Sequence, residues 1–451
     1  MIVSKFGGTS VGDAAAIGRV VAIIRGRRAR KPVVVVSALA GVTNALIEIG
    51  ERSGAGQLLI AIRQIEGLRA RHLSVAAEVL GKGAEADELA AEISASFDEL
   101  AQLAEALSVL GHVTPRCMDA IASMGERVSA PLLAGAMRCC GLKAAFVDAR
   151  SVMCTDDAFG RAEPQPERIA QAVREHVLPL VKAGIVPVLA GYIGSTKTGV
   201  TTTIGRGGGD YSASLIGTAL EAEAIEIWTD VDGMLTADPR VVKGARLIEE
   251  IRFDEASELA TFGAKVLHPS TIAPAVRKGI PVSIHNTQRP EGRGTRITFD
   301  APRMAVRAVA GKHGVAVVRV RSPRMLGTPG FMQRILAVFD ATKTSVDVIA
   351  TSEVSVSMTV DDVSQLDAII AQLSQLGDVT VERGRGIVAL VGAGLGESTP
   401  TMARALGALG DLRLHMCSLS ATGINLTLIT DDDQVDEATR RLHAAFFEAA
   451  A

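Results

Sequence analysis

The chain has 451 residues, of which 48% are hydrophobic and only 3% aromatic. That length suits two to four domains with substantial cores, and a net charge of −3 excludes a general polyanion-binding role. Five cysteines (Cys117, Cys139, Cys140, Cys154, Cys417) show no CxxC spacing. No charged leader precedes an apolar stretch, because Lys5 interrupts it, and no apolar run reaches about 18 residues. A cytoplasmic protein with free, buried thiols and no membrane span is expected.

In chain order, Ile2, Val3 and Ser4 predict a short buried strand that runs into Lys5-Phe6-Gly7-Gly8-Thr9-Ser10, and a helix begins near Asp13. Paired glycines let backbone amides approach an anion. A helix N-terminus adds about half a positive charge and the lysine a full one, so the loop suits a phosphate. No G-x-x-x-x-G-K-[ST] is present, so it is not a Walker A loop; a tight strand–helix connection is the simpler reading of the loop alone. The basic cluster Arg25, Arg27, Arg28, Arg30 and Lys31 reads as the solvated C-terminal end of the first helix. Residues 33–36 predict a strand ending at Ser37, followed by a polar loop in which Thr43 is either a hydroxyl contact or a helix N-cap. Residues 55–110, rich in Ala, Glu and Leu, read as a helical excursion. Strands over 184–190 and 224–228 each run into a polar, Gly-rich segment, and ligands of open α/β sheets sit at such strand ends.

Residues 201–210 end in Gly205-Arg206-Gly207-Gly208-Gly209-Asp210. An arginine inside a glycine run suits the grip of its fork on a carboxylate, although Asp210 by itself reads as a cap of the next helix. The segments 229–233 and 238–240 are turns on their own terms, and residues 262–269 place Lys265 near a helix end. Beyond about residue 300 the pattern becomes β-α-β-β-α-β: strand 314–321, helix 331–342, strands 345–349 and 354–360, helix 362–376, strand 379–382. It then begins again with strand 387–391, helix 401–409, strands 413–418 and 425–429, and helix 435–447. This is the ferredoxin-like order, and the second copy lacks a closing strand of its own, which the first copy or another subunit would supply.

Jointly, the wording and order of four segments resemble aspartate kinase, of the amino acid kinase superfamily: Lys5-Phe6-Gly7-Gly8-Thr9-Ser10, the loop from Gly205 to Asp210, Trp228-Thr229-Asp230-Val231-Asp232-Gly233, and Phe262-Gly263-Ala264-Lys265-Val266-Leu267-His268-Pro269. Length and the helical excursion look most like monofunctional, lysine-sensitive members. The resemblance implies a three-layer α/β/α sandwich with a mostly parallel sheet over residues 1–300, its nucleotide-binding part at about 200–300. Two ferredoxin-like ACT domains would follow, at 301–384 and 385–451. It implies transfer of the γ-phosphoryl group of ATP to the side-chain carboxylate of L-aspartate, the first step toward lysine, threonine and methionine. Mg²⁺ would arrive with ATP, held by its phosphates and water, with no protein metal site. The acceptor, with a reference pKa of about 3.9, needs no general base, so positioning and electrostatics would carry catalysis.

Residue by residue, the resemblance assigns catalysis to Lys5, Arg206 and Asp210. Lys5, Gly7, Gly8, Thr229, Asp230, the Leu235 backbone, Arg240 and Lys265 would hold the nucleotide. Substrate would meet Ser37, Thr43, Glu126, Tyr192, Arg206, Gly209 and Asp210, with Arg206 on the α-carboxylate and Glu126 and Asp210 on the ammonium. Gly209 departs from the family's usual loop, which has serine there. An effector pocket for lysine, or for threonine, would use Met325, Thr328, Gly330, Phe331, Ser345, Val346, Asp347, Ser352 and Glu353. A homodimer or homotetramer through the ACT domains is implied, without nucleic acid or membrane. Two other readings are a related kinase acting on a different carboxylate, favoured only by Gly209, and an amino-acid sensor with an inactive kinase domain, opposed by Lys5, Arg206, Asp210 and Lys265.

Overall fold

The computed structural model describes residues 1–205, 207–262, 267 and 269–448. They divide into two compact units, Met1–Gly233 with Leu267–Phe299, and Met234–Val266 with Asp300–Ala451. The segment 234–266 therefore groups with the C-terminal part of the chain.

The first unit runs β1 (Ile2–Phe6), α1 (Ala14–Gly26), β2 (Pro32–Val36), α2 (Val42–Gly54), α3 (Leu58–Leu80), α4 (Ala84–Leu110), α5 (Pro115–Ala122), α6 (Met124–Cys139) and β3 (Ala144–Val147). It continues with α7 (Pro166–Ala172), α8 (Leu178–Lys182), β4 (Val186–Ala190), β5 (Ile193–Ser195), β6 (Thr201–Thr203), α9 (Gly208–Ala219) and β7 (Ala224–Thr229). The chain then crosses to the second unit for β8 (Glu250–Arg252) and α10 (Phe253–Thr261). It returns for α11 (Pro269–Arg277), β9 (Val282–Asn286) and β10 (Thr295–Thr298).

Within this unit the strands lie in the order β3-β4-β2-β1-β7-β9-β10. All neighbours are parallel except the antiparallel β10. Every residue of β2 is buried, as a strand covered on both faces must be. On one face Phe6, Val34, Val36 and Val188 join a core with α1, α2, α6 and the α3–α4 hairpin. On the other lies α9, which Gly217 lets approach: a Cβ there would stand 2.7 Å from Ile225 Cδ1. Each large aliphatic side chain fully buried in this way stabilises the fold by about 1.5–3 kcal/mol. The result is the expected three-layer sandwich, with the C-terminal ends of β1, β2, β4 and β7 on one edge of the sheet.

Two expectations fail in this unit. The basic cluster is not simply solvated. Arg27 and Arg30 both bind Glu226, at 2.7 and 2.8 Å, and Arg27 also lies over the Trp228 ring. Glu226 is buried on β7 and accepts further bonds from Ser4 and the Trp228 indole. A buried carboxylate needs such partners, and the arginines come from the adjacent α1 end to supply them. The cysteines are free but none is buried: Cys117 and Cys154 are half-buried and Cys139, Cys140 and Cys417 exposed.

The second unit contains β11 (Ala308–Arg321), α12 (Phe331–Ala341), β12 (Ile349–Thr351), β13 (Ser355–Val360), α13 (Leu366–Leu373), β14 (Asp378–Val391), α14 (Thr399–Leu409), β15 (Met416–Leu419), β16 (Asn425–Asp431) and α15 (Val435–Phe447). One antiparallel sheet, β12-β13-β11-β14-β16-β15, runs through both ferredoxin-like modules. Two cores are built on it. Ala316, Val318 and Val320 pack with α12 and α13, whereas Val306 and Val309 pack with α14 and α15. The strand the second copy lacks is therefore residues 308–312, which lie before the first copy and pair with residues 387–391. The ladder shifts register between Lys312 and Val315, so a single bulged strand serves both modules. The expected strand 345–349 begins only at Ile349; Asp347 and Val348 instead donate their amides to the carbonyl and hydroxyl of Thr359.

Candidate active site

Parallel strands deliver their C-terminal residues to one edge, and there the first unit gathers most of the expected side chains. Lys5, at the end of β1, places its Nζ 2.7 Å from Asp210 Oδ1, both side chains being largely buried. Asp210 lies in the first turn of α9, whose N-cap is Gly207; it is thus no cap, and its carboxylate is free to meet the lysine. Gly205 and Gly207 both have φ of 76°, in the left-handed region that glycine enters without strain. The run of glycines is what allows the turn into α9. Arg206 itself, with Gly263, Ala264, Lys265, Val266 and His268, lies outside the described residues.

Gly209 faces Lys5 and Ser37. A Cβ on it would come 3.1 Å from Lys5 Cε and 3.2 Å from Ser37 Oγ. The missing side chain leaves room in which the Lys5 stem lies. Gly191, after β4, approaches the same helix so closely that a Cβ on it would fall 2.8 Å from the Gly209 Cα. Beside it Tyr192 holds φ at 68°, a costly conformation for a bulky residue. It is fixed by its amide donating to Ser212 Oγ at 3.1 Å and its carbonyl accepting from Ile204. Burial raises the Tyr192 phenol above its ordinary range.

Glu126, in the first turn of α6, is 3% exposed. Its Oε1 accepts the Ala38 amide at 3.2 Å; among the described residues Oε2 has no hydrogen-bond partner. Burial pushes the carboxyl up to about 8, against smaller opposing pulls from the Ala38 amide, its own amide and the Thr43 side chain. A buried carboxyl with one unpartnered oxygen beside a polar strand end is what a cationic ligand group would complete. Gly125 permits this approach, since a Cβ there would stand 2.7 Å from the Ala38 Cβ. Thr43 is not the N-cap of α2; that position is Gly41, and no side chain caps the helix. Its hydroxyl is thereby left for Glu126.

The glycine loop after β1 behaves only partly as expected. The Gly7 amide donates to the Trp228 carbonyl at 3.1 Å, so it is spent within the fold and is not a phosphate donor. Gly8 begins a short 3₁₀ turn whose Ser10 hydroxyl meets that of Thr287 at 2.6 Å. Thr287 in turn donates to the Thr229 carbonyl, which ties the ends of β1, β7 and β9 together. Thr229 bonds Asp230 at the end of β7. Leu235 and Arg240 belong to the second unit. There Leu235 bridges Leu247, and Arg240, 88% exposed, is held by Asp238 at 2.6 Å.

Asp119 escaped the sequence reading. Buried on α5, it accepts the amides of Gly160 and Thr203 and the Thr203 hydroxyl, at 2.6–3.0 Å. It therefore anchors β6, which leads into the glycine loop, and is a positioning residue. The signal was a lone acid inside the short apolar run from Cys117 to Ala122.

The expected effector residues all belong to the first ferredoxin-like module. Gly330, with φ of 76°, caps the N-terminus of α12 and Phe331 is buried behind it. Ser352 and Ser355 share a 2.7 Å hydrogen bond. Asp347 is not open, since Lys312 Nζ stands 3.0 Å from its Oδ2. Among the described residues no cluster of His, Cys, Asp or Glu gathers as a metal site, and no helix is long and apolar enough to cross a membrane.

Residues 1–286 match the amino acid kinase family. Over 99% of both chains, this one is 37% identical to the lysine-sensitive aspartokinase 3 of Escherichia coli strain K12. Among solved structures, E. coli aspartokinase III with aspartate and ADP (R-state) superposes with a TM-score of 0.85 at 35% identity, covering 99% of this chain and 100% of that one. The same enzyme with lysine and aspartate (T-state) gives 0.83 at 36% identity, with the same coverage.

Proposed function

Because the chain belongs to the amino acid kinase family and, within it, to the aspartokinases, we propose that the Lys5 edge of the sheet transfers the γ-phosphoryl group of ATP to the side-chain carboxylate of L-aspartate. The product is 4-phospho-L-aspartate. The observation that carries this reading is the Lys5 ammonium, 2.7 Å from Asp210 at the start of α9, on the same edge as the buried Glu126 carboxyl. One group suits a polyanion in motion and the other an ammonium.

The acceptor carboxylate is ionised near neutral pH, so no base has to make the nucleophile. The work is to bring two anions together and spread the developing charge. Lys5 follows the transferring phosphoryl group; the Gly8 amide, Thr229, Asp230, the Leu235 backbone, Arg240 and Lys265 serve the nucleotide. Arg206 pairs with the α-carboxylate, Glu126 takes the ammonium, and Ser37, Thr43 and Tyr192 complete the substrate wall. Asp210, already held by Lys5, acts mainly by orienting that lysine. Mg²⁺ comes with ATP, held by phosphate oxygens and water. The domains are a kinase domain to about residue 300 and two ACT modules divided near 384, the first interrupting the second. We place the reaction in the cytoplasm, in keeping with five free thiols, and the protein in a homodimer or homotetramer formed through the ACT modules.

The test is to supply ATP, Mg²⁺ and L-aspartate with hydroxylamine, which traps the acyl phosphate as a hydroxamate. Turnover on glutamate but not on aspartate would overturn the substrate. Adding lysine lowers the rate at millimolar concentration or below, and Glu353→Ala weakens that inhibition. A response to threonine alone would reassign the effector.

Gly209→Ser tests the departure in the substrate loop. The added hydroxyl contributes about 0.5–1.5 kcal/mol if it reaches aspartate. The Lys5 stem, being flexible, can yield the few tenths of an ångström required. KM for aspartate falls about two- to tenfold while kcat stays within about threefold. An unchanged KM would show that no contact is missing at Gly209.

A further inference from the structure

Lys312 lies in the segment of β11 that closes the second module, paired with Ile387. Its side chain nevertheless crosses to the first module, where Nζ stands 3.0 Å from Asp347 Oδ2 and 2.9 Å from Asp361 Oδ2. The next residue holds the opposite side: His313 contacts Asp432 and Asp436, and the Gly314 amide donates to Asp432. The bulge thus ties the two modules through charges of the chain's own. Asp347 is the less exposed of the two carboxylates, at 12% against 46% for Asp361. With Glu353, it is one of the two acids of the expected effector pocket that can meet the effector's ammonium.

We propose that Lys312 is an internal competitor for that ammonium, occupying Asp347 while the effector pocket is empty and giving it up when free lysine binds. This rests on the effector pocket proposed above. Chemically, the ligand and the tether present the same group, a primary ammonium on an aliphatic stem, to one carboxylate. Because Asp361 also binds Nζ and is more exposed, Lys312 has an alternative partner once displaced. Effector binding then exchanges an intramolecular ion pair between modules for an intermolecular one, so the effector works against the tether and its apparent affinity is lowered.

Lys312→Met keeps the stem and removes the charge. Lysine binding to the full-length protein is measured by calorimetry, and inhibition by the hydroxamate assay, for wild type, Lys312→Met, Lys312→Arg and Asp347→Asn. The expected result is a lysine affinity about fivefold or more higher in Lys312→Met, near wild type in Lys312→Arg, and lost in Asp347→Asn. Lysine binding that appears only in Lys312→Met supports the proposal equally. An affinity unchanged or lowered in Lys312→Met overturns it, a lowered one showing that Lys312 holds the effector's carboxylate. Absence of lysine binding in all four proteins overturns the effector pocket itself, and the competition with it. Circular dichroism on each variant separates loss of binding from loss of fold.

Discussion

Lys5→Ala lowers kcat by about a thousandfold or more and leaves KM for aspartate within a few-fold of its value. An electrostatic group that acts on charge developing in the transition state affects the rate far more than ground-state binding, by roughly two to four orders of magnitude in such sites. The local geometry sharpens the effect. Lys5 and Asp210 are both 13% exposed. Removing the ammonium leaves a carboxylate facing the incoming phosphate with its charge uncompensated, and repulsion replaces attraction. Lys5→Arg does not restore the rate. The stem lies in the space left by Gly209, where even a Cβ would stand 3.1 Å from Cε, and a planar guanidinium does not take the place of a compact ammonium. The hydroxamate assay reads the rate, and thermal unfolding followed by circular dichroism checks that the variant is folded. A folded Lys5→Ala enzyme retaining a tenth of kcat would remove Lys5 from phosphoryl transfer and would revive the reading of the loop as a plain turn.

Affinity for aspartate rises with pH up to about 8 and then levels. Glu126 is buried with its pKa pushed up to about 8, so below that pH the free enzyme holds it as the neutral acid, while an ammonium ligand favours the carboxylate. Binding then expels a proton, and KM falls up to tenfold per pH unit until the group is ionised in the free enzyme as well. Glu126→Gln flattens the profile and raises KM by about 10- to 150-fold, the worth of a hydrogen bond to a charged group. The sign for stability runs the other way. A carboxyl raised in the folded state contributes stability that is full below its unfolded pKa of about 4.5 and is lost as pH rises through about 8. Wild type therefore loses stability against Glu126→Gln across that window. Calorimetry in buffers of different ionisation enthalpy counts the proton released on aspartate binding; no release at pH 7 would mean that Glu126 is already ionised or does not meet the ammonium.

Local pattern and tertiary packing divided the information unevenly. The run of valines in β2, the start of α1 near Asp13, and the ferredoxin-like order were legible because buried strands and amphipathic helices leave short-range marks; that Asp13 caps α1, accepting the Ala16 amide at 2.7 Å, is a finding of the structure. The four polar segments were legible only jointly, through their resemblance to one family, because each alone reads as a turn, a cap or a solvated lysine. Other features left no local mark. Gly7 looked like a phosphate donor, yet its amide goes to Trp228, 221 positions away in the chain but adjacent across the β1–β7 ladder. Asp119 and Glu226 gained their roles from partners distant in sequence.

By itself, then, the sequence determined the alternation of strands and helices and the order of the modules, while the layers and the residues that would meet a phosphate and an amino acid came from its resemblance to a family. The alternation and the module order follow from hydrophobic periodicity, which is local. Only the tertiary structure decided that Lys5 pairs with Asp210, that Glu126 is buried with an unpartnered oxygen, and that the strand 308–312 closes the second module. It also decided that Lys312 sits on Asp347. Desolvation and ion pairing depend on what packs against a group, and that is fixed by contacts between residues far apart along the chain.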